Sequence, residues 1–379
     1  MPTTLAQRFT ALDVFRGMTI CLMIIVNTPG GDPTFSPLEH AAWNGFTPTD
    51  LVFPSFMFAV GNAMSFVMNK WNNMSTGQVL AKIFKRTLII FLLGYLMYWF
   101  PFITKDASGS LVLSPIANTR IFGVLQRIAL AYCAASLMIY FWGARTATII
   151  SVLILILYWP VMYYFGDPSD PLGLQTNAAR KLDLWLIGPN HMYHGEHVNG
   201  EPYPFDPEGL LSTFPSIANV VAGYLAGSYV QKKGNTFEGL TKLLMAGVAC
   251  FIVAYWWNLG FPINKKLWTS SFVLHTVGLD CMILACIIYI IDFRHKKGGT
   301  YFFQVFGRNP LFIYLLSELF ITILYMIPVG GTSLKDWLYQ NIFIHAGDYF
   351  ASLLFALTYM LFCWSIGYIL DKKKIYVRV

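Results

Sequence analysis

Charge is what this 379-residue sequence is short of. Only 12% of it is Asp, Glu, Lys or Arg, where a soluble domain carries about a quarter. With 56% hydrophobic residues and a mean hydropathy of +0.54, that shortage excludes an ordinary soluble fold. Cysteine is sparse as well. Cys21, Cys133, Cys250, Cys281, Cys286 and Cys363 all fall in apolar stretches, with neither zinc-type spacing nor a disulfide framework. They read as inert core residues. Glycine-rich phosphate loops, low-complexity segments and internal repeats are missing too, so a nucleotide site cannot be read from motif. The net charge of +7 would suggest nucleic acid in a soluble protein. Here it reflects topology, because cytoplasmic loops collect Lys and Arg, and no nucleic-acid partner is expected.

What the sequence does have is long apolar runs. Ten of them lie near 10–27, 50–69, 83–100, 120–142, 147–165, 210–230, 240–257, 267–291, 303–327 and 350–370. Each has roughly the 17–25 residues needed to cross about 30 Å of hydrocarbon. Aromatics reach 17%, with 21 Tyr and 11 Trp, as interfacial belts require. The expectation is an all-α polytopic bundle forming one transmembrane domain over residues 1–379. With the N-terminus inside, inner segments hold seventeen basic residues, Arg8 and Arg378 among them, and outer segments hold seven. Both termini are therefore expected in the cytoplasm. The first span carries Asp13 and Arg16, and no small-residue cleavage site follows Val26, which argues against a removed signal peptide.

Two outer loops stand out, 28–49 and 166–210. The second is acidic and rich in Pro and Gly, and connections of that length are usually functional or disordered. The first is denser in chemistry. Between two apolar spans it gathers Asn27, Gly30, Gly31, His40, Trp43, Asn44 and Asp50. His40 is a natural general base near neutral pH, and its imidazole is equally a nucleophile; the residues do not choose. Asp50 would orient the imidazole, or cap the second span. Asn27, Asn44 and the Gly30–Gly31 amides would donate to a developing oxyanion. The bland reading is turn chemistry, since Gly-Gly, Asp-Pro and Ser-Pro are ordinary turn signals.

The runs ALDVFRG at 11–17, EHAAWNG at 39–45 and DLVFPSFMF at 50–58 come with four further pieces in order. These are GVLQRIALAY at 123–132, FDPEGLLSTFPSI at 205–217, PINKKLWTSSFV at 262–273 and GRNPLFIYLLSEL at 307–319. Together they resemble the heparan-α-glucosaminide N-acetyltransferase family, whose lysosomal members are longer. In length and orientation the chain resembles the bacterial branch. The resemblance implies transfer of acetyl from cytoplasmic acetyl-CoA to the amino group of a glucosamine-type sugar, or a glycan bearing one, across a bacterial inner membrane. Its loop histidine matches His40. Expected catalytic residues are His40, Asp50, Asn27 and Asn44. Arg16, Arg127, Asn27, Gly30 and Gly31 are expected around acetyl-CoA. Membrane lipid is an expected partner and a homodimer an open one. Rival classes are an amino-sugar transporter and an O-acetyltransferase acting on a periplasmic glycan.

Ionisable residues inside spans are costly and usually functional. Helix rise of about 1.5 Å per residue puts Arg16 and Asp280 at similar depth, Arg127 and Glu318 near the outer face, and His275 midway. They read either as a polar channel, basic at its inner mouth for CoA phosphates, or as paired charges, Arg127–Glu318 and Arg16 with Asp13 or Asp280. His191, His194 and His197 are not placed on one helix face by their spacing. No metal is expected there, only a loop or acceptor-binding role. Asp206 and Glu208 precede a span as caps, or hold an ammonium or sugar hydroxyls.

Overall fold

Residues 10–106, 108–234 and 236–377 are described by the computed structural model of the chain. Arg8 and Arg378 lie outside them. Among the described residues are twelve helices: α1 (Thr10–Asn27), α2 (Val52–Met68), α3 (Thr76–Trp99), α4 (Val124–Phe165), α5 (Ala178–Ile187), α6 (Leu210–Lys233), α7 (Phe237–Trp257), α8 (Ser270–Ile288), α9 (Thr300–Arg308), α10 (Pro310–Met326), α11 (Leu334–Leu338) and α12 (Asp348–Lys372). Strands appear only as three two-stranded antiparallel hairpins in the connections. An apolar medium offers no partner to backbone N–H and C=O groups, so long apolar runs become helices. Seven helical segments among the described residues are long and apolar enough to cross a membrane, or eight if one bent pair is a single span. α3 is long enough, but every 18-residue stretch of it contains Lys82, Lys85 and Arg86.

The breaks have local causes. α4 runs for 42 residues but is interrupted at Gly143, whose φ of 76° and ψ of 167° make it two helices end to end. The apolar run expected as one span over 303–327 is instead α9 and α10, bent by 82°. Pro310 has no N–H and restricts the residue before it, and Asn309 there takes φ −129° and ψ 50°. α3 begins earlier than expected, at a capping box. Gln78 N donates to Ser75 Oγ and Ser75 N to Gln78 Oε1.

One core cluster runs through α1, α2, α4, α6 and α8. α2 and α6 meet almost backbone to backbone. A Cβ on Gly61 would fall 1.9 Å from Val220 O, and one on Gly223 would fall 2.0 Å from Phe58 O. Small residues at such interfaces are how helices approach closely without a hydrophobic drive in lipid.

The expected charge pairs are largely redrawn. Arg16 does pair with Asp13 at 2.9 Å, and its Nε donates to Gly307 O at 2.7 Å. Asp280 instead accepts from Ser55 of α2. Arg127 and Glu318 do not pair. Arg127 donates to Pro207 O at 2.8 Å and to Ser212, and lies 4.7 Å over the Trp268 ring. Glu318 accepts from Asn27 Nδ2 at 3.2 Å. Equal depth does not make two residues neighbours, because helix rotation and order decide which face meets which. His275 packs between Phe46 and Phe251, at ring separations of 4.4 and 4.7 Å.

Gly61→Ala should drive α2 and α6 apart and cost about 1–3 kcal/mol, the scale of overpacking. Gly77→Ala in α3 meets open space and should be neutral or stabilising. Thermal unfolding of both variants in detergent checks the contrast.

Candidate active site

Asn27 ends α1, and the chain then crosses to a 3-10 turn, Pro48–Leu51, which leads straight into α2. Asp50 sits in that turn, fully buried. Its two oxygens do different things. Oδ2 accepts from Thr47 N at 3.0 Å and Ala41 N at 3.1 Å. Oδ1 faces His40 Nδ1 at 2.7 Å. The loop is tied back further by Thr47 Oγ1 donating to Glu39 O and Thr49 Oγ1 to Pro37 O. A carboxylate only accepts, so His40 donates from Nδ1, and in the neutral ring that tautomer places the lone pair on Nε2. The imidazole is 46% exposed while the carboxylate is 1% exposed. A buried carboxylate thus holds an accessible imidazole.

Lys265 completes the cluster from the far side of the sequence. Its Nζ stands 3.1 Å from Nδ1 and 3.2 Å from Nε2 of His40, and 3.7 Å from Asp50 Oδ1. Burial holds this ammonium below the usual lysine value, against the pull of Asp50 and Glu208. Asn44 reaches the same loop. Its Oδ1 accepts from Asn264 Nδ2 at 3.1 Å, and Gly45 N donates to Ile263 O at 2.8 Å. Asn44 therefore braces the segment carrying Lys265.

The third wall is the turn before α6. Arg120 donates to both oxygens of Asp206, at 3.0 and 2.6 Å, and to Glu208 Oε2 at 2.5 Å. Its guanidinium lies between the rings of Tyr98 and Tyr193. Burial opposes the Glu208 charge, but Arg120 and Arg127 outweigh it and hold the carboxyl below the usual glutamate range. Asp183 of α5 accepts from Leu210 N at 2.9 Å, so it, rather than Asp206 or Glu208, meets the first turn of α6. A Cβ on Gly209 would lie 1.8 Å from Asp183 Oδ2, which only glycine avoids. Burial raises the Asp183 pKa to about 7.

Two cavities meet at this place. One, about 140 Å³, is lined by Asn27, His40, Thr49, Glu208, Lys265 and Tyr314. The other, about 720 Å³, opens toward the opposite end of the bundle and is lined by Arg16, Asn62, Lys70, Arg86 and Arg308. Phe56, Leu125 and Ile128 line both. They are apolar residues shared by a cavity that holds His40, Lys265 and Glu208 and one that holds Arg16, Lys70, Arg86 and Arg308.

The expected residues are thus divided. His40, Asp50 and Asn27 come together at the smaller cavity, and Arg16 lines the larger. Arg127 lines neither and is buried behind the 207–212 turn. Gly30 and Gly31 do not supply an oxyanion hole or a cofactor cradle beside His40. Their amides go to Ser352, O at 3.3 Å and Oγ at 3.4 Å, over the Tyr339 ring. The glycine pair folds the loop onto α12 instead. The three histidines are dispersed: His191 Nδ1 donates to Thr119 O, His194 Nδ1 to Met192 O, and His197 sits opposite Pro202 in a hairpin. In the sequence Lys265 is one of the seven outer basic residues. Its signal was the Lys-Lys pair inside PINKKLWTSSFV, without anything to aim it at His40.

A family model described as heparan-alpha-glucosaminide N-acetyltransferase, catalytic, matches residues 8–255. The chain belongs to this family. The matched range takes in His40, Asp50, Arg120 and Glu208 and stops short of Lys265. Over 99% of its length the chain is 28% identical to the heparan-alpha-glucosaminide N-acetyltransferase of Mus musculus. Over all of it, the chain is 26% identical to that of Homo sapiens. It spans 61% of the length of each of these relatives.

Asp183 gives a pH test of the turn that carries Glu208. Below about pH 4 its carboxyl is protonated folded or unfolded. Between there and about 7 the unfolded chain releases the proton and the folded chain keeps it, so stability falls as pH rises. Asp183→Asn keeps the acceptor for Leu210 and removes this loss, on the order of 2–4 kcal/mol at pH 8. Its melting temperature relative to the unaltered protein should rise between pH 5 and pH 8. An unchanged gap would show that Asp183 ionises in the fold.

Proposed function

We propose that the protein is a transmembrane acetyltransferase that takes acetyl-CoA in the basic cavity and delivers acetyl to the amino group of a glucosamine-type sugar in the His40 cavity. The observation that supports this most is the shared apolar lining. A donor beside Arg16, Lys70, Arg86 and Arg308 would occupy a cavity that shares Phe56, Leu125 and Ile128 with the cavity of His40. The size difference fits as well, with the larger room on the basic side for a bulky polyanion and the smaller for the end of a sugar. In this reading there are ten spans: α1, α2, α3, the two halves of α4, α6, α7, α8, the bent α9–α10 pair and α12. The basic end faces the cytoplasm of a bacterial inner membrane, where positive residues concentrate.

The chemistry follows from the Asp50–His40–Lys265 set. The acceptor amine must be neutral to attack a carbonyl carbon. Nε2 of His40 either takes its proton, or attacks the thioester first and passes the acetyl group on. In both routes the thiolate leaves and is protonated, and the carbonyl oxygen gains negative charge. Lys265 Nζ, 3.2 Å from Nε2, is the cation placed for that charge. Asp50 holds the proton on Nδ1, which leaves the lone pair of the neutral ring on Nε2, and that lone pair reacts when Lys265 Nζ turns from it to the oxyanion.

His40→Ala should abolish transfer and leave acetyl-CoA binding largely intact; near-normal turnover in the folded variant would remove His40 from the chemistry. Asp50→Asn tests the tautomer. The amide keeps an oxygen for Thr47 N and Ala41 N but turns an N–H toward Nδ1, which moves the ring proton to Nε2. Turnover should fall by about 10²-fold or more with little loss of stability. In sided vesicles acetyl-CoA should be consumed only from the basic face, and equal use from the other face would overturn the orientation.

A further inference from the structure

We infer that Glu208 is the binding site for the acceptor's protonated amine, so that the His40 cavity selects cationic amino acceptors over hydroxyl ones. The inference rests on the transferase reading and adds which group recognises the acceptor. Glu208 lines the same small cavity as His40, Asn27 and Lys265. One of its oxygens, Oε2, is tethered by Arg120. The other has no donor among the described residues, although a carboxylate has about four acceptor sites to fill. The side chain is 12% exposed and lines the cavity. The tether is itself rigid. Arg120 is fixed by two bonds to Asp206 and by the Tyr98 and Tyr193 rings. Asp50 is already engaged by His40, Thr47, Ala41 and Lys265, and Glu318 lies behind Asn27. Among the described residues that line the cavity, Glu208 is the carboxylate.

An ammonium presents up to three charge-assisted donors to such an oxygen, where a hydroxyl presents one neutral donor. The reaction balances from that bound form. The ammonium sheds one proton, to His40 or to solvent. The neutral nitrogen bonds the acetyl carbon as the bond to sulfur, or to His40 Nε2, breaks. A second amine proton leaves, and the thiolate takes one up. The sum is an amide, free thiol and one proton released. Holding the amine at Glu208 keeps it beside His40 until that first proton is lost.

Glu208→Gln preserves size and an oxygen for Arg120 while removing the charge. In the transferase assay the KM for glucosamine should rise about tenfold or more, with kcat less affected and acetyl-CoA binding unchanged. Direct binding of glucosamine without donor should weaken by a similar factor. In the unaltered protein, glucose should bind at least about tenfold more weakly than glucosamine, a comparison that needs no folded variant. Unchanged glucosamine affinity and KM in Glu208→Gln would overturn the assignment. So would equal binding of glucose and glucosamine, or no glucosamine binding at all. Glu208-dependent glucosamine binding without acetyl transfer would keep the site and sink the transferase reading, so the two fail separately.

Discussion

The Asp50 carboxylate sits where α2 begins, and each of its oxygens answers a different demand. Oδ2 receives the backbone N–H groups of Thr47 and Ala41, which shapes the entry into the span and fixes the loop before it. Oδ1 receives His40 Nδ1 and stands near Lys265. A buried carboxylate is tolerable only if its lone pairs are met. Meeting them draws together residues from the loop, the helix start and the 262–269 segment. The requirement that stabilises this anion is thus the same one that sets the ring's tautomer.

The second constraint is the membrane's intolerance of polar groups. In the described structure two cavities with ionisable linings share an apolar layer of Phe56, Leu125 and Ile128. α1 serves both rooms, with Arg16 near its start and Asn27 at its end. α2 and α4 supply the shared layer. The bend at Pro310 lets Arg308 of α9 face the basic cavity while Tyr314 of α10 faces the other.

Arg120, just before α4, and Arg127, in its first turn, show how similar residues part company. Arg120 is held by two carboxylates and two aromatic rings, and so it builds a wall. Arg127 donates to backbone carbonyls and Ser212, and so it stiffens the turn from behind. Both shape Glu208, one by direct contact and the other by its field.

Properties local to the chain were legible in the sequence. Apolar length set the helices, because hydrocarbon forces backbone bonds to close within each segment. The loop from Asn27 to Asp50 declared itself by density of polar groups, and His40 and Asp50, ten residues apart, proved to be partners. The rest depended on contacts between distant segments. Lys265 meets His40 across 225 residues, Asn27 meets Glu318 across 291, and Gly31 meets Ser352 across 321. Sequence gives depth along a helix but not its rotation or its neighbours. That is why Arg127 and Glu318, placed at one depth, face different partners, and why the glycine amides turn away from the histidine. Which polar group is left open to a ligand, as Glu208 is, follows only after every other group has found its partner in the packed bundle.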